Sequence, residues 1–285
     1  MEICILPTYL YSLISSILTS SISYFAITFG LIIGSFLNVC IFRIPRNIFW
    51  DSHRSFCFHC KEKIPFWLNV PVLSFLLLRG KARCCGSKIG LRYPLVEVLT
   101  GLLILLIYWC FPFVVYHDGD YSLHMNELIR FSHAAIFACV MLVCSFIDLE
   151  FMIIPDVISL PMIALAPVVF YFHPELTLKS SLFGILLGAA CIYAIAWVYY
   201  LLRRQEGIGM GDAKLLAVVG GWLGYEAVFP TLLYSSVLGT VIGVLVLLLS
   251  KKFSLKAEIP FGPFIAIAAL FHQLSPFSFY ELWLK

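Results

Sequence analysis

The sequence predicts an all-α polytopic membrane protein of about eight transmembrane helices, with a small cytoplasmic cysteine-containing loop domain between the first and second. Three observations lead there. Hydrophobic residues make up 61% of the 285 and charged residues 12%, with a mean hydropathy of +0.97, far from the roughly 25% charge of a soluble domain. Apolar runs recur near the length, about 20 residues, that a helix needs to cross a bilayer. Once those runs are laid across a membrane, the basic residues sort by side as the positive-inside rule requires. The chain's surroundings are therefore the lipid bilayer, and no nucleic-acid partner is expected.

The first residues, 1–23, have no Lys or Arg ahead of their apolar positions and continue into a longer apolar run. They lack the basic start of a secretory signal and are expected to be retained. The eight segments lie near 24–42, 93–115, 129–147, 157–172, 182–202, 213–225, 228–249 and 260–274, the sixth being short. With the N-terminus outside, all of the 19 basic residues except Arg130, Lys179 and Lys285 fall on the cytoplasmic side. Removing one span breaks that partition downstream. Three parts follow: 1–43 as the N-terminal segment and first helix, 44–92 as the cysteine-rich cytoplasmic domain, and 93–285 as the transmembrane core.

Acidic residues mark the chemistry. A carboxylate at the centre of a spanning helix costs about 3 kcal/mol on insertion scales, so an intramembrane acid is a functional candidate with a partner to be found. Asp148 stands at the inner end of the third segment, Asp156 at the inner start of the fourth and Asp212 at the inner start of the sixth, so all three share the cytoplasmic face. Gly207, Gly209 and Gly211 precede Asp212. Irregular backbone is tolerated at membrane depth only where it lines a cavity, and glycine lets an extended chain come close. No strand precedes this run, which disfavours a dinucleotide motif. Asp156 follows Pro155 and suits an N-terminal helix position, where a cap is worth about 1 kcal/mol; catalysis is its alternative. Lys214 is placed either to pair with Asp212 or to snorkel toward headgroups.

The loop carries Cys57-Phe58-His59-Cys60 and then Arg83-Cys84-Cys85-Gly86. Two thiol pairs in a short cytoplasmic loop with little apolar core suit zinc, which would organise the loop through Cys57, Cys60, Cys84 and Cys85. A reducing compartment argues against disulfides. Adjacent cysteines seldom both reach one ion at good angles, so His59 or His53 is an alternative fourth ligand, and free thiols are the other reading. Cys4, Cys40, Cys110, Cys139, Cys144 and Cys191 lie in or near apolar segments and are expected to pack there. Gly34, Ser35 and Asn38 share one helix face, suited to close packing with an interhelical hydrogen bond or to substrate contact.

Gly34-Ser35-Phe36-Leu37-Asn38-Val39 with Arg43 and Pro45, the cysteine loop, Arg92-Tyr93-Pro94-Leu95-Val96-Glu97, Asp148 with Ile154-Pro155-Asp156, and Gly207-x-Gly-x-Gly-Asp-x-Lys together resemble the bacterial type IV prepilin peptidases over about residues 30–270. The resemblance implies a bifunctional enzyme of the cytoplasmic (inner) membrane. An intramembrane aspartyl protease removes the leader of prepilins or pseudopilins after a glycine. An N-methyltransferase using S-adenosylmethionine then modifies the new N-terminus. It implies Asp148 and Asp212 as the catalytic pair, sharing a proton because neighbouring carboxyls cannot both ionise cheaply. Glu97, about one turn inside the second span, either pairs with Arg43 or Arg92 or approaches the methyl donor. Ala82 stands where the family pattern expects a thiol, which bears on the metal site. A proton-coupled transporter would place its acids near mid-membrane and show an internal repeat, and a membrane scaffold would tolerate Asp148→Asn and Asp212→Asn.

Overall fold

The computed structural model describes residues 21–49, 56–57, 59–117, 120–169, 176–204, 209–249 and 259–275. They form α1 (Ser21–Arg43), a short α2 (Leu73–Leu77), α3 (Arg92–Cys110), a hairpin of β1 (Val114–His117) and β2 (Asp120–Leu123), then α4 (Met125–Phe151), α5 (Asp156–Val169), α6 (Leu178–Arg203), α7 (Met210–Leu223), α8 (Val228–Leu249) and α9 (Gly262–Leu274). Each of the eight expected segments contains a helix. Among the described residues five helices are long and apolar enough to cross a membrane: α1, α3, α4, α6 and Tyr225–Val246, which takes in most of α8. The helices α5, α7 and α9 are shorter, at 14, 14 and 13 residues.

The second segment is a correction. Read as helical to 115, it stops at Cys110, and Val114 then pairs antiparallel with Leu123. Pro112 supplies no amide donor and disfavours helical backbone before it, and Val114-Val115-Tyr116 prefer an extended chain. The Tyr108 hydroxyl donates to the Val114 carbonyl at 3.0 Å, fastening the hairpin to the end of α3.

The described residues divide into two compact units, with breaks after Cys40, Asn47 and Ala135. In the first, α1 and α3 run against each other through glycine. A methyl on Gly30 would lie 2.8 Å from the Gly101 Cα, and one on Gly34 would lie 2.7 Å from the Glu97 Cα. Close approach of this kind is how helices adhere where lipid tails are as apolar as the helices themselves. Asn38 donates its side-chain amide to the Tyr93 carbonyl at 3.0 Å, the interhelical bond expected for that face.

In the second unit α7 is enclosed by its neighbours: Ala213 and every residue from Leu215 to Trp222 are buried. Gly184 and Gly188 of α6 admit it, because a methyl at either would stand 2.0 Å and 2.4 Å from the Gly220 and Leu216 carbonyl oxygens. Two polar groups at these seams are paired, Ser181 donating to the Gly221 carbonyl and the Trp222 indole to the Met162 carbonyl, each at 2.8 Å. Helix α4 ends at Phe151, and Met152 after it is left-handed at φ +55, with its N–H on the Asp148 carbonyl. That turn sends the chain through Ile153-Ile154-Pro155 into α5.

Candidate active site and thiol cluster

One end of the second unit gathers the end of α4 with the starts of α5, α7 and α9. Asp148 lies three residues before the end of α4 and is buried. Its Oδ2 accepts the Gly262 N–H at 2.9 Å. Asp212, in the first turn of α7, is half-buried, and the charge of Asp148 acts on it electrostatically. Gly209 sits at the cap of α7, where a methyl would lie 3.6 Å from the Asp212 Oδ2, and Gly211 packs on Ile154, where a methyl would meet its Cβ at 3.1 Å. Gly207 lies outside the described residues. Two carboxyl groups that influence each other at a protein end reached by glycine backbone can share one proton and activate a water between them.

Asp156 and Lys214 take other places than those expected. Asp156 is the first residue of α5 and is exposed, and its carboxylate accepts from the Lys214 ammonium. Lys214 therefore pairs with Asp156, not Asp212, and Asp156 joins the starts of α5 and α7 in place of capping its own helix. The reason is spatial: Lys214 is two residues beyond Asp212 on α7, so its side chain leaves from a different face. Gly262 was missed by sequence reasoning. Its one local sign is position, between Phe261 and Pro263 at the opening of an apolar segment.

In the first unit, Glu97 is buried on α3 and accepts the Val72 N–H at 2.7 Å, with the Ser35 hydroxyl as a second partner. Val72 has a positive φ of +59, rare for a β-branched residue, and the N–H it turns toward Glu97 is the one the carboxylate accepts. One turn away the Oδ1 of buried Asn38 has no hydrogen-bond partner.

The cysteine loop brings its four thiols together. The sulfurs of Cys57, Cys60, Cys84 and Cys85 all lie within 4.8 Å of one another, and none is in a disulfide. Zinc with bonds of about 2.3 Å spaces tetrahedral sulfurs by roughly 3.8 Å. The pairs Cys57–Cys85 at 3.7 Å and Cys84–Cys85 at 3.9 Å match that spacing, and Cys60–Cys84, at 3.2 Å, stands closer than it. Both adjacent cysteines reach the cluster, so no histidine ligand is needed; His53 lies outside the described residues. The Cys60 N–H directed at its sulfur, aided by that of His59, brings the Cys57 thiol down to about 6 against the upward push of burial. The Cys84 thiol, hydrogen-bonded to the Cys60 sulfur, is pushed up to about 12. Cys57 is thus a readier thiolate than Cys84.

Known proteins match this chain along most of its length. Residues 28–111 match the bacterial peptidase A24 N-terminal domain, and residues 135–244 match the type IV leader peptidase family. The prepilin leader peptidase/N-methyltransferase of Stutzerimonas stutzeri is 34% identical over 266 residues, covering 85% of this chain and 87% of its own. This chain belongs to the type IV leader peptidase family. The prepilin leader peptidase/N-methyltransferases of Pseudomonas aeruginosa and Aeromonas hydrophila are each 34% identical, over 85% and 86% of this chain and 86% and 88% of theirs. No solved structure is a significant match. Within this type IV leader peptidase, Asp148, Asp212 and the glycines from 209 fall in the stretch that the peptidase profile covers, and Glu97 with the four thiols falls in the N-terminal one.

Proposed function

We propose that this chain is a prepilin leader peptidase and N-methyltransferase, multi-pass in the bacterial cytoplasmic membrane, N-terminus outside, with Asp148 and Asp212 as its catalytic pair at the cytoplasmic face. The observation that carries the reading is that Asp148 near the end of α4 and Asp212 in the first turn of α7 lie at one end of the same unit, where Gly211 packs on Ile154 just beyond α4, with Asp148 steadied by the Gly262 N–H. One carboxylate takes a proton from a water whose oxygen adds to the scissile carbonyl. The other, protonated, gives its proton to the carbonyl oxygen, and collapse of the resulting diol releases the leader and a new amine. Such a pair titrates as a unit. Substrates of the prepilin or pseudopilin kind, with a basic leader in the cytoplasm and an apolar helix in the bilayer, bring their scissile bond to this face.

For methyl transfer, S-adenosylmethionine supplies the methyl group when bound. Glu97 and Asn38 would hold it, since a buried carboxylate beside an unpartnered amide oxygen offers acceptors to its ammonium and ribose hydroxyls. Zinc, held by the four thiols, would tie the loop together as a crosslink.

Cleavage and methylation separate in the test. With purified enzyme and a prepilin, Asp148→Asn and Asp212→Asn each abolish leader removal while methylation of an already cleaved pilin continues. Leader removal retained in both variants rejects the catalytic assignment. Glu97→Gln shows the opposite pattern, cleaving normally and methylating poorly; equal loss of both activities would sink its role at the methyl donor.

A further inference from the structure

The two turns of the cysteine loop are built on one backbone plan. In the first, the Cys57 N–H donates to the Glu62 carbonyl and the Lys61 N–H to the Cys57 carbonyl, each at 2.8 Å; Phe56 bridges Lys63, and Lys61 is left-handed. In the second, the Ala82 N–H donates to the Ser87 carbonyl and the Gly86 N–H to the Ala82 carbonyl, again at 2.8 Å; Lys81 bridges Lys88, and Gly86 is left-handed. Superposing these bonds puts Cys85 where Cys60 stands, Ala82 where Cys57 stands and Cys84 where His59 stands. The second turn therefore has a thiol at one of its two ligand positions and a methyl at the other. Its extra thiol rides on the shoulder that His59 occupies in the first.

The shoulder is a poorer place for a ligand. Backbone N–H groups of Cys60 and His59 converge on the Cys57 sulfur, the kind of outer contact that orients a ligand and whose loss costs about 10–100-fold in affinity. The Cys84 sulfur is exposed, and its neighbours are the sulfurs of Cys60, Cys57 and Cys85. We infer that Cys84 is a relocated ligand: it closes a four-thiolate site for a soft divalent cation in place of the thiol missing at Ala82, and forms that site's exchangeable arm. The centre keeps its cation on Cys57, Cys60 and Cys85 and accepts an outside thiolate as fourth ligand. This inference rests on the metal reading proposed above.

Cobalt(II), whose visible absorption reports the number of bound sulfurs, tests it in the full-length protein in detergent. Wild type gives a four-sulfur spectrum at one cobalt per chain. Cys84→Ser keeps the cobalt about tenfold more weakly with three sulfurs, and 2-mercaptoethanol restores the fourth, whereas Cys57→Ser loses about a hundredfold in affinity. Cys84→Ser combined with Ala82→Cys regains the four-sulfur spectrum without added thiol. Ala82→Cys alone binds more tightly and leaves Cys84 open to alkylation in the loaded protein, while loaded wild type protects it. The relocation is overturned if Cys84→Ser loses cobalt as fully as Cys57→Ser, or if alkylation of Cys84 is the same in loaded Ala82→Cys and wild type. A wild-type protein that takes up no cobalt removes the metal reading itself, and the relocation with it; the other failures leave that reading standing.

Discussion

Gly262 gives Asp148 its N–H and leaves no room for a side chain, since a methyl there would stand 2.8 Å from the Asp148 Oδ2. Gly262→Ala therefore displaces the carboxylate while suiting the helix it begins, and a misplacement of about 1 Å can cost on the order of a hundredfold in rate. Prepilin cleavage falls by about that factor in Gly262→Ala with thermal stability little changed. Gly209→Ala, whose methyl would meet Asp212 at an ordinary 3.6 Å, loses less than about tenfold by the same reasoning; equal losses in the two would show that backbone freedom, not carboxylate position, is what matters. The Asp156–Lys214 pair is a different kind of contact. Both side chains are partly in the open, 56% and 30% exposed, so it adds under about 1 kcal/mol. Asp148 and Asp212 were legible as candidates because acids are costly in apolar segments, but Gly262 was not, because its partner lies 114 residues away and a glycine by itself announces no contact.

At the scale of elements, α7 has 14 residues and is held by packing on α5, α6, α8 and α9. Its seat on α6 depends on Gly188, where a methyl would lie 2.4 Å from the Leu216 carbonyl oxygen. A larger side chain must push the two backbones apart, and overpacking of a filled interior costs about 1–3 kcal/mol or more. Gly188→Leu lowers the thermal midpoint in detergent and takes cleavage with it, since Asp212 rides on α7; a protein of unchanged stability would contradict this packing. The paired glycines, Gly30 with Gly34 and Gly184 with Gly188, are four residues apart in the sequence, a small-residue spacing open to view. Which helices they face is not, because that depends on how segments far apart in the chain come together.

For the whole molecule, the orientation proposed from the charge partition puts the cysteine loop, Asp148 and Asp212 on the cytoplasmic side. A membrane-impermeant thiol reagent therefore reaches Cys60, Cys84 and Cys85 in inverted membrane vesicles stripped of metal and leaves them unlabelled in intact spheroplasts. Labelling from the outer side would reverse the orientation and take the proposed substrate geometry with it. The eight segments were readable because lipid demands apolar residues, five of their helices over the length of a span and α5, α7 and α9 over 13 or 14 residues. The hairpin after α3 was not, because residues 111–115 look like the tail of a span until Pro112 is given its weight.

Alone, the sequence determined that this chain lives in a membrane, roughly where its apolar helices lie, which acids are out of place in them and that one loop carries four cysteines in two pairs. Each of these follows from composition or spacing over a few turns. Only the tertiary structure decided that Lys214 serves Asp156, that Gly262 steadies Asp148, that Glu97 accepts the Val72 N–H, and that Cys84 stands on the shoulder of a knuckle. These are meetings between distant residues, set by how close two backbones come and which face each helix turns, and no local pattern encodes them.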